Sequence, residues 1–148
     1  MLLDGHRVIH ATCLQTYELL MKPDVLVRAM PGLKSLTEIG DGVYQAKMEM
    51  GVAAIKGKYS GELRMEDKRP GESYVLQMHG TGPGGFVDVN MTVILSESPD
   101  GTDLHYSGAA NVGGTVAGVG QRVLSGVANI IIGQFFSAMA KEAKRAAS

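Results

Sequence analysis

The sequence predicts an α+β fold: one strand, two short helices, an antiparallel meander and a long C-terminal helix. Three observations carry that order. Polar and apolar residues alternate with period two through the middle of the chain, a one-sided helical pattern runs from about Thr115 to Ala146, and the turns between the alternating runs are too short for crossovers.

The first strand is expected at roughly Leu3 to Ala11, before a short helix at "TYELLM". In "KPDVLVRAMPG", Pro23 opens a second short helix and the Pro31-Gly32 pair ends it. "VYQAKMEM" then puts Tyr44, Ala46, Met48 and Met50 on one face and Gln45, Lys47 and Glu49 on the other. Ile55, Tyr59, Leu63 and Met65 continue the apolar series, followed by Tyr74, Leu76 and Met78, then Val87, Val89, Met91, Val93 and Leu95, and finally Leu104, Tyr106 and Val112. "RPGESY" and "SPDG" read as turns. A meander with one wet face needs a cover for the other, and the C-terminal helix is the only segment long enough. No repeat, linker or low-complexity tract divides the chain, so residues 1–148 read as one domain.

Fourteen Lys+Arg against fifteen Asp+Glu give a net charge of −1, which leaves no broad basic footprint for nucleic acid. The lone Cys13 cannot form an internal disulfide, and the first twenty residues lack the basic start and apolar run of a secretory signal, so the cytoplasm is the expected location. Twenty glycines and nine methionines, with no tryptophan and three phenylalanines, leave the chain short of large rigid core fillers. Met48, Met50, Met65, Met78 and Met91 all fall on inward strand faces; such soft side chains suit either an adaptable cavity lining or a plainly packed core.

The stretch "VLSGVANIIIGQFFSAMA" carries no charge between Arg122 and Lys141, slightly short of a membrane span. Wound as a helix, it puts Val116, Val123, Leu124, Val127, Ile131 and Phe135 on one side and Arg122, Ser125 and Asn129 on the other, so it reads as a cover lying on the sheet. Ile132 and Phe136 then fall on the outer side, near Lys141, Lys144 and Arg145, either as an ordinary exposed apolar pair or as a small patch suited to transient contact with an anionic bilayer or a partner. Gly118, Gly120, Gly126 and Gly133 would each cost about 1 kcal/mol in a helix interior, which calls for close approach by a strand, a ligand or a second helix.

"GTGPGGF" and "VGGTVAGVG" have neither the lysine followed by Ser/Thr of a phosphate loop nor the strand, tight turn and later acidic residue of a dinucleotide site. They read instead as a hairpin connection and as the last strand entering the helix, with Thr115 as cap. His6, His10, His79 and His105 read as solvated, with no third ligand to make a metal centre, and Cys13 has no partner base. No catalytic or metal-ligating set emerges.

This order, with "KPDVLVRAMPGLKSLTEIGDGVY", "AAIKGKYSGELRMED", "GTGPGGF" and above all "VGGTVAGVGQRVLSGVANIIIGQFF", resembles the CoxG family of carbon monoxide dehydrogenase accessory subunits, within the START-like (SRPBCC) helix-grip superfamily. Tyr17 stands where the family often has Trp, and Lys22 where an Asp often precedes the proline. The resemblance implies a curved antiparallel sheet of about seven strands wrapped around the C-terminal helix and an apolar cavity. It also implies an accessory role beside a carbon monoxide dehydrogenase-like molybdenum hydroxylase, quinone handling and peripheral contact with the inner face of the membrane.

The expected protein is therefore a non-enzymatic carrier without metal or covalent cofactor, its ligand an isoprenoid quinone or similar lipid. The lining would be Met48, Met50, Tyr59, Met78, Met91 and Tyr106 on the sheet and Val116, Val123, Val127, Ile131 and Phe135 on the helix, with Leu26 and Met30 at the mouth. Tyr59 or Tyr106 would donate the hydrogen bond a quinone carbonyl accepts. An assembly factor with a filled core and a helix-grip cyclase or hydrolase are the alternatives, the last requiring an acid and base paired inside the pocket.

Overall fold

The computed structural model describes residues 1–51 and 55–147; of the landmark residues, Ala53 and Ala54 lie outside them. The elements are β1 (Leu2–Ile9), α1 (Cys13–Met21), α2 (Pro23–Ala29), β2 (Leu33–Gly40), β3 (Val43–Met50), β4 (Gly57–Arg69), β5 (Ser73–Gly82), β6 (Gly85–Ser98), β7 (Gly101–Gly113) and α3 (Gln121–Ala147). One antiparallel sheet has the order β1-β7-β6-β5-β4-β3-β2, a meander closed by β1 returning beside β7. The α+β expectation holds, including both short helices. The edge strand β2 was not anticipated as a separate strand.

Local chemistry explains the start of each short helix. Thr12 caps α1 through a reciprocal box: its Oγ1 accepts from the Gln15 N–H at 3.1 Å, and Gln15 Oε1 accepts from the Thr12 N–H at 2.9 Å. Pro23 occupies the first turn of α2, where no N–H is missed.

Strand register sorts the inward residues into rows that cross the sheet. Leu95 faces Leu104, and Tyr74, Val93, Tyr106 and Gly5 are successive cross-strand neighbours. Met65, Leu76, Met91, Gly108 and Leu3 form the next row, and Ala46, Gly61, Gly80 and Val87 a row beyond it. The rows nearest α1 and α2 are packed: Ile9, Leu20, Leu104 and Met139 are buried together, and Tyr17 meets Tyr74 edge to face at 6.1 Å between ring centroids. Burial pushes the Tyr74 phenol well above its ordinary value.

The C-terminal helix departs from expectation in two ways. It does not run unbroken from Thr115: a 3₁₀ turn spans Thr115–Val119, Gly120 at φ +96° breaks the path, and α3 begins at Gln121. Thr115 is accordingly no helix cap; its hydroxyl donates to the Gly84 carbonyl at 3.0 Å and ties the turn to the β5–β6 connection.

The second departure is rotational, by roughly a quarter turn. Val123 is 45% and Ile130 56% exposed, whereas Ile132, Phe135 and Phe136 pack against the core and Met139 and Ala143 are buried in it. Glu142, which a simple polarity reading places outside, is 7% exposed because Arg28 of α2 grips it in a fork, Nε to Oε1 at 2.8 Å and Nη2 to Oε2 at 3.0 Å.

Candidate ligand-binding trough

The fork pins the C-terminal third of α3 over α1 and α2, and the α3 backbone approaches α2, α1 and β1 more than any of β2 to β6. The inward face of the central strands beyond the packed rows is therefore incompletely covered. Met48, Tyr59, Met78, Val87, Val89 and Met91 are half-buried there, neither solvated like the outer face nor closed like the core. Ala46, Gly61 and Gly80, consecutive in one row, keep the floor low between these larger side chains. The arrangement is a partly covered apolar strip with methionine-rich edges, a shallow trough bounded at one end by the packed rows, against which Met78 and Met91 pack.

At the other end, Tyr59 lies across Gly82, where an added methyl would come within 2.5 Å of its ring, and its hydroxyl sits near Gly84 and Thr115 beneath the 3₁₀ turn. That hydroxyl is buried and has no hydrogen-bond partner among the described residues. An unpaired buried hydroxyl costs about 1–3 kcal/mol. The site thus offers one polar atom on an otherwise apolar wall.

The anticipated lining divides three ways. Met48, Tyr59, Met78 and Met91 are half-buried on the inward sheet face, and Val127, Ile131 and Phe135 lie on the covered side of α3, Val127 the most buried of the three. Leu26 and Met50 do not form a mouth or open wall: Leu26 is 8% exposed in the core beneath α3, and the Met50 sulfur fills the space beside Gly32 after α2. Met30 is the half-buried C-cap of α2 at the same turn. Val123 faces outward, so it cannot line the trough. Val116 packs on Gly84 at the trough's end.

Tyr106 is 6% exposed, with its ring laid over Gly5 and stacked on Phe136 at 5.6 Å, so it separates the trough from the β1 edge. Arg7, unremarked in the sequence, caps that stack from the edge, its guanidinium 5.6 Å from the Phe136 centroid and 6.0 Å from that of Tyr106.

His6, His79 and His105 stay on the outer sheet face, but they are not simply solvated. His6 Nδ1 meets Asp103 at 3.1 Å, His105 Nε2 meets Asp4 at 2.9 Å, the two rings stack at 4.2 Å, and His79 pairs with Asp88. Parallel stacked rings cannot aim their in-plane nitrogens at one ion, and among the described residues no group of three or more His, Cys, Asp or Glu is arranged to hold a metal. Arg28 lowers the ionisation range of Glu142 chiefly through its hydrogen bonds, and the guanidinium's own range is raised in return. This buried acid is committed to Arg28 and is not on the trough wall.

The profile of the CoxG family, the G-type subunits of carbon monoxide dehydrogenase, matches residues 5–144. The chain belongs to the CoxG family. Among solved structures, a conserved protein from Geobacillus kaustophilus is 36% identical, with 98% of this chain and 96% of that one covered and a TM-score of 0.95. A START superfamily protein from Mycobacterium smegmatis superposes with a TM-score of 0.77 at 10% identity, covering 97% of each chain. Protein CV1439 from Chromobacterium violaceum gives 0.76 at 18% identity, with 96% of each chain covered. At those identities the latter two bear on fold alone, and they place this CoxG chain in the START-like helix-grip architecture. No curated protein matches the chain. The family takes its description from carbon monoxide dehydrogenase, which associates the chain with that kind of system.

Proposed function

We propose that the protein is a non-enzymatic carrier of an apolar ligand, an isoprenoid quinone or similar lipid, serving a carbon monoxide dehydrogenase-type molybdenum hydroxylase. The observation that carries this reading is the half-exposed apolar trough, with the unpartnered Tyr59 hydroxyl at its end. An apolar chain laid over Met78, Met91, Val87 and Val89 removes surface from water at about 25 cal/mol per Å². A ring carbonyl placed at Tyr59 accepts the hydrogen bond that the empty trough leaves unmade. The ligand is thus held by burial along its length and oriented by one polar contact, the usual division of labour in a small-molecule site.

Catalysis is not part of the reading, because the wall presents methionine, valine and tyrosine, and the buried acid Glu142 is forked by Arg28. Delivery requires the ligand to leave as readily as it enters, which suits a wall of adaptable methionines better than a rigid pocket.

The test is uptake from vesicles loaded with a menaquinone and separated from protein by flotation. The protein fraction is expected to carry quinone, and Met78→Phe/Met91→Phe is expected to carry much less because the rings occupy the trough. Equal uptake by the filled variant would refute the trough as the binding site.

A further inference from the structure

The two ends of the trough are built differently, and the end away from Tyr59 bears on which ligands fit. Met65 stands six residues beyond Tyr59 on β4, roughly 20 Å along the strand, in the row that continues through Leu76, Met91 and Gly108. The row after it holds Tyr74, Val93, Tyr106 and Gly5. There two aromatic rings, one from the sheet and one from α3, stand across the path.

Those rings are held from several sides. Tyr106 lies over Gly5, whose missing side chain makes room for it: a methyl added at Gly5 would fall 2.4 Å from the phenolic oxygen. Phe136 stacks on the Tyr106 ring with centroids 5.6 Å apart and planes inclined by 20°, and Phe135 meets Phe136 edge to face at 5.1 Å. Arg7 backs the stack from the β1 edge, its guanidinium 5.6 Å from the Phe136 centroid while Nη1 donates to the His6 carbonyl at 2.9 Å.

The side chains before the stack are of another kind. Met48, Met78 and Met91 are unbranched and half-buried, so they yield to the shape of what lies on them. An apolar chain advancing from Tyr59 therefore meets soft sides and then a rigid stop. Past the stop it meets a guanidinium, whose desolvation by an apolar tail is costly.

We propose that the Tyr106–Phe136 stack, backed by Arg7, limits the length of apolar chain the protein accepts, ending the berth roughly 20 Å from Tyr59. Phe136 is the specificity-determining residue, because it covers the Tyr106 ring from α3 and closes the way toward the β1 edge. The methionines set the cross-section that is tolerated, and the stack sets the length. This inference rests on the carrier reading and adds to it a class of ligand, one whose apolar chain ends within that span.

The experiment measures uptake of three menaquinones, with geranyl, geranylgeranyl and solanesyl side chains, each from phosphatidylcholine vesicles removed by flotation. The vesicle's own hold on each quinone is the same for every protein, so ratios between chain lengths, compared among variants, report the berth alone. Phe136→Leu and Phe136→Ala should raise solanesyl uptake relative to geranyl by about tenfold over the wild-type ratio. Val89→Phe, which places a ring one row nearer Tyr59, should lower geranylgeranyl uptake relative to geranyl by a similar factor.

Phe136→Ala also opens a gap against the core and is expected to unfold at a lower temperature. Phe136→Leu and Val89→Phe decide the question if that variant does not fold, and a purely structural role would move stability without moving the ratios. Ratios equal to wild type in both overturn the proposal, and uptake of all three quinones then leaves the carrier reading standing. Retention of none of the three by the wild-type protein overturns both together.

Discussion

Tyr59 is the residue on which structure and ligand binding most directly compete. Its hydroxyl is buried without a partner, so Tyr59→Phe should make the ligand-free protein equally stable or more stable, by up to about 1–3 kcal/mol in a urea titration. The same change should cost roughly fivefold in quinone affinity, the worth of one neutral hydrogen bond of about 1 kcal/mol. A loss of stability would mean that the hydroxyl already has a partner in the empty protein. The sequence singled out Tyr59 and Tyr106 together; what separates them is Phe136, whose ring covers Tyr106, and that contact depended on the phase of a helix that polarity alone misplaced.

Glu142 shows what a reading of helix polarity leaves out, a charged residue buried by a partner on another element. Its ionisation lies below the ordinary glutamate value of 4.5, first because Arg28 donates hydrogen bonds to the carboxylate. The unfolded chain therefore holds a proton there at a pH where the folded chain does not. The stabilisation is complete above the ordinary value and is lost as pH falls through the lower folded value. Wild-type stability should fall more steeply in that acid window than stability of Glu142→Gln, which has no carboxylate to protonate. Parallel pH slopes in denaturant titrations would show that the fork does not contribute.

Among the elements, the strands were the most legible, because alternation with one wet face fixes both identity and facing. The inward methionines at 48, 50, 65, 78 and 91 all fall on the concave side. Only their depth escaped prediction: Met50 and Met65 are filled into the core while Met48, Met78 and Met91 are not, a distinction set by where α2 and α3 rest. Strand β2 gave a weaker signal, since an edge strand with mostly exposed residues has little apolar face to alternate.

Helix α3 was legible in kind and in where it ends, and not in its start or its rotation: Gly120 breaks the path before Gln121, and its apolar residues surround more than half its circumference. Two expectations follow at this scale. Gly126→Ala/Gly133→Ala should stabilise the isolated protein by about 1–2 kcal/mol in chemical denaturation, because each alanine gains helix propensity without a clash. Hydrogen exchange should be faster over residues 121–133, where Val127 is the one buried side chain among the described residues, than over residues 139–143, which hold Met139, Glu142 and Ala143.

Across the whole molecule, the two faces of α3 differ in what they meet. Its inner face is held at one end by Arg28 and leaves the central strands partly uncovered, and its outer face presents branched apolar side chains between cations. On the proposed carrier reading, the partly uncovered inward face is the berth for an apolar ligand. Twenty glycines and no tryptophan had already implied a chain short of large core fillers, and the row at Ala46, Gly61 and Gly80 is one place where the inward sheet face carries no large side chain. Which compound the proposed carrier would take was never legible, since an apolar wall with one hydroxyl selects a class of ligand and not a compound.

The most direct measurement is native mass spectrometry of the protein purified from a quinone-making host, with solvent extraction to identify whatever is bound. The carrier account predicts a stoichiometric adduct with the mass of an isoprenoid quinone or related lipid, absent from Met78→Phe/Met91→Phe. A clean ligand-free mass that persists after incubation with quinone-loaded vesicles would contradict it.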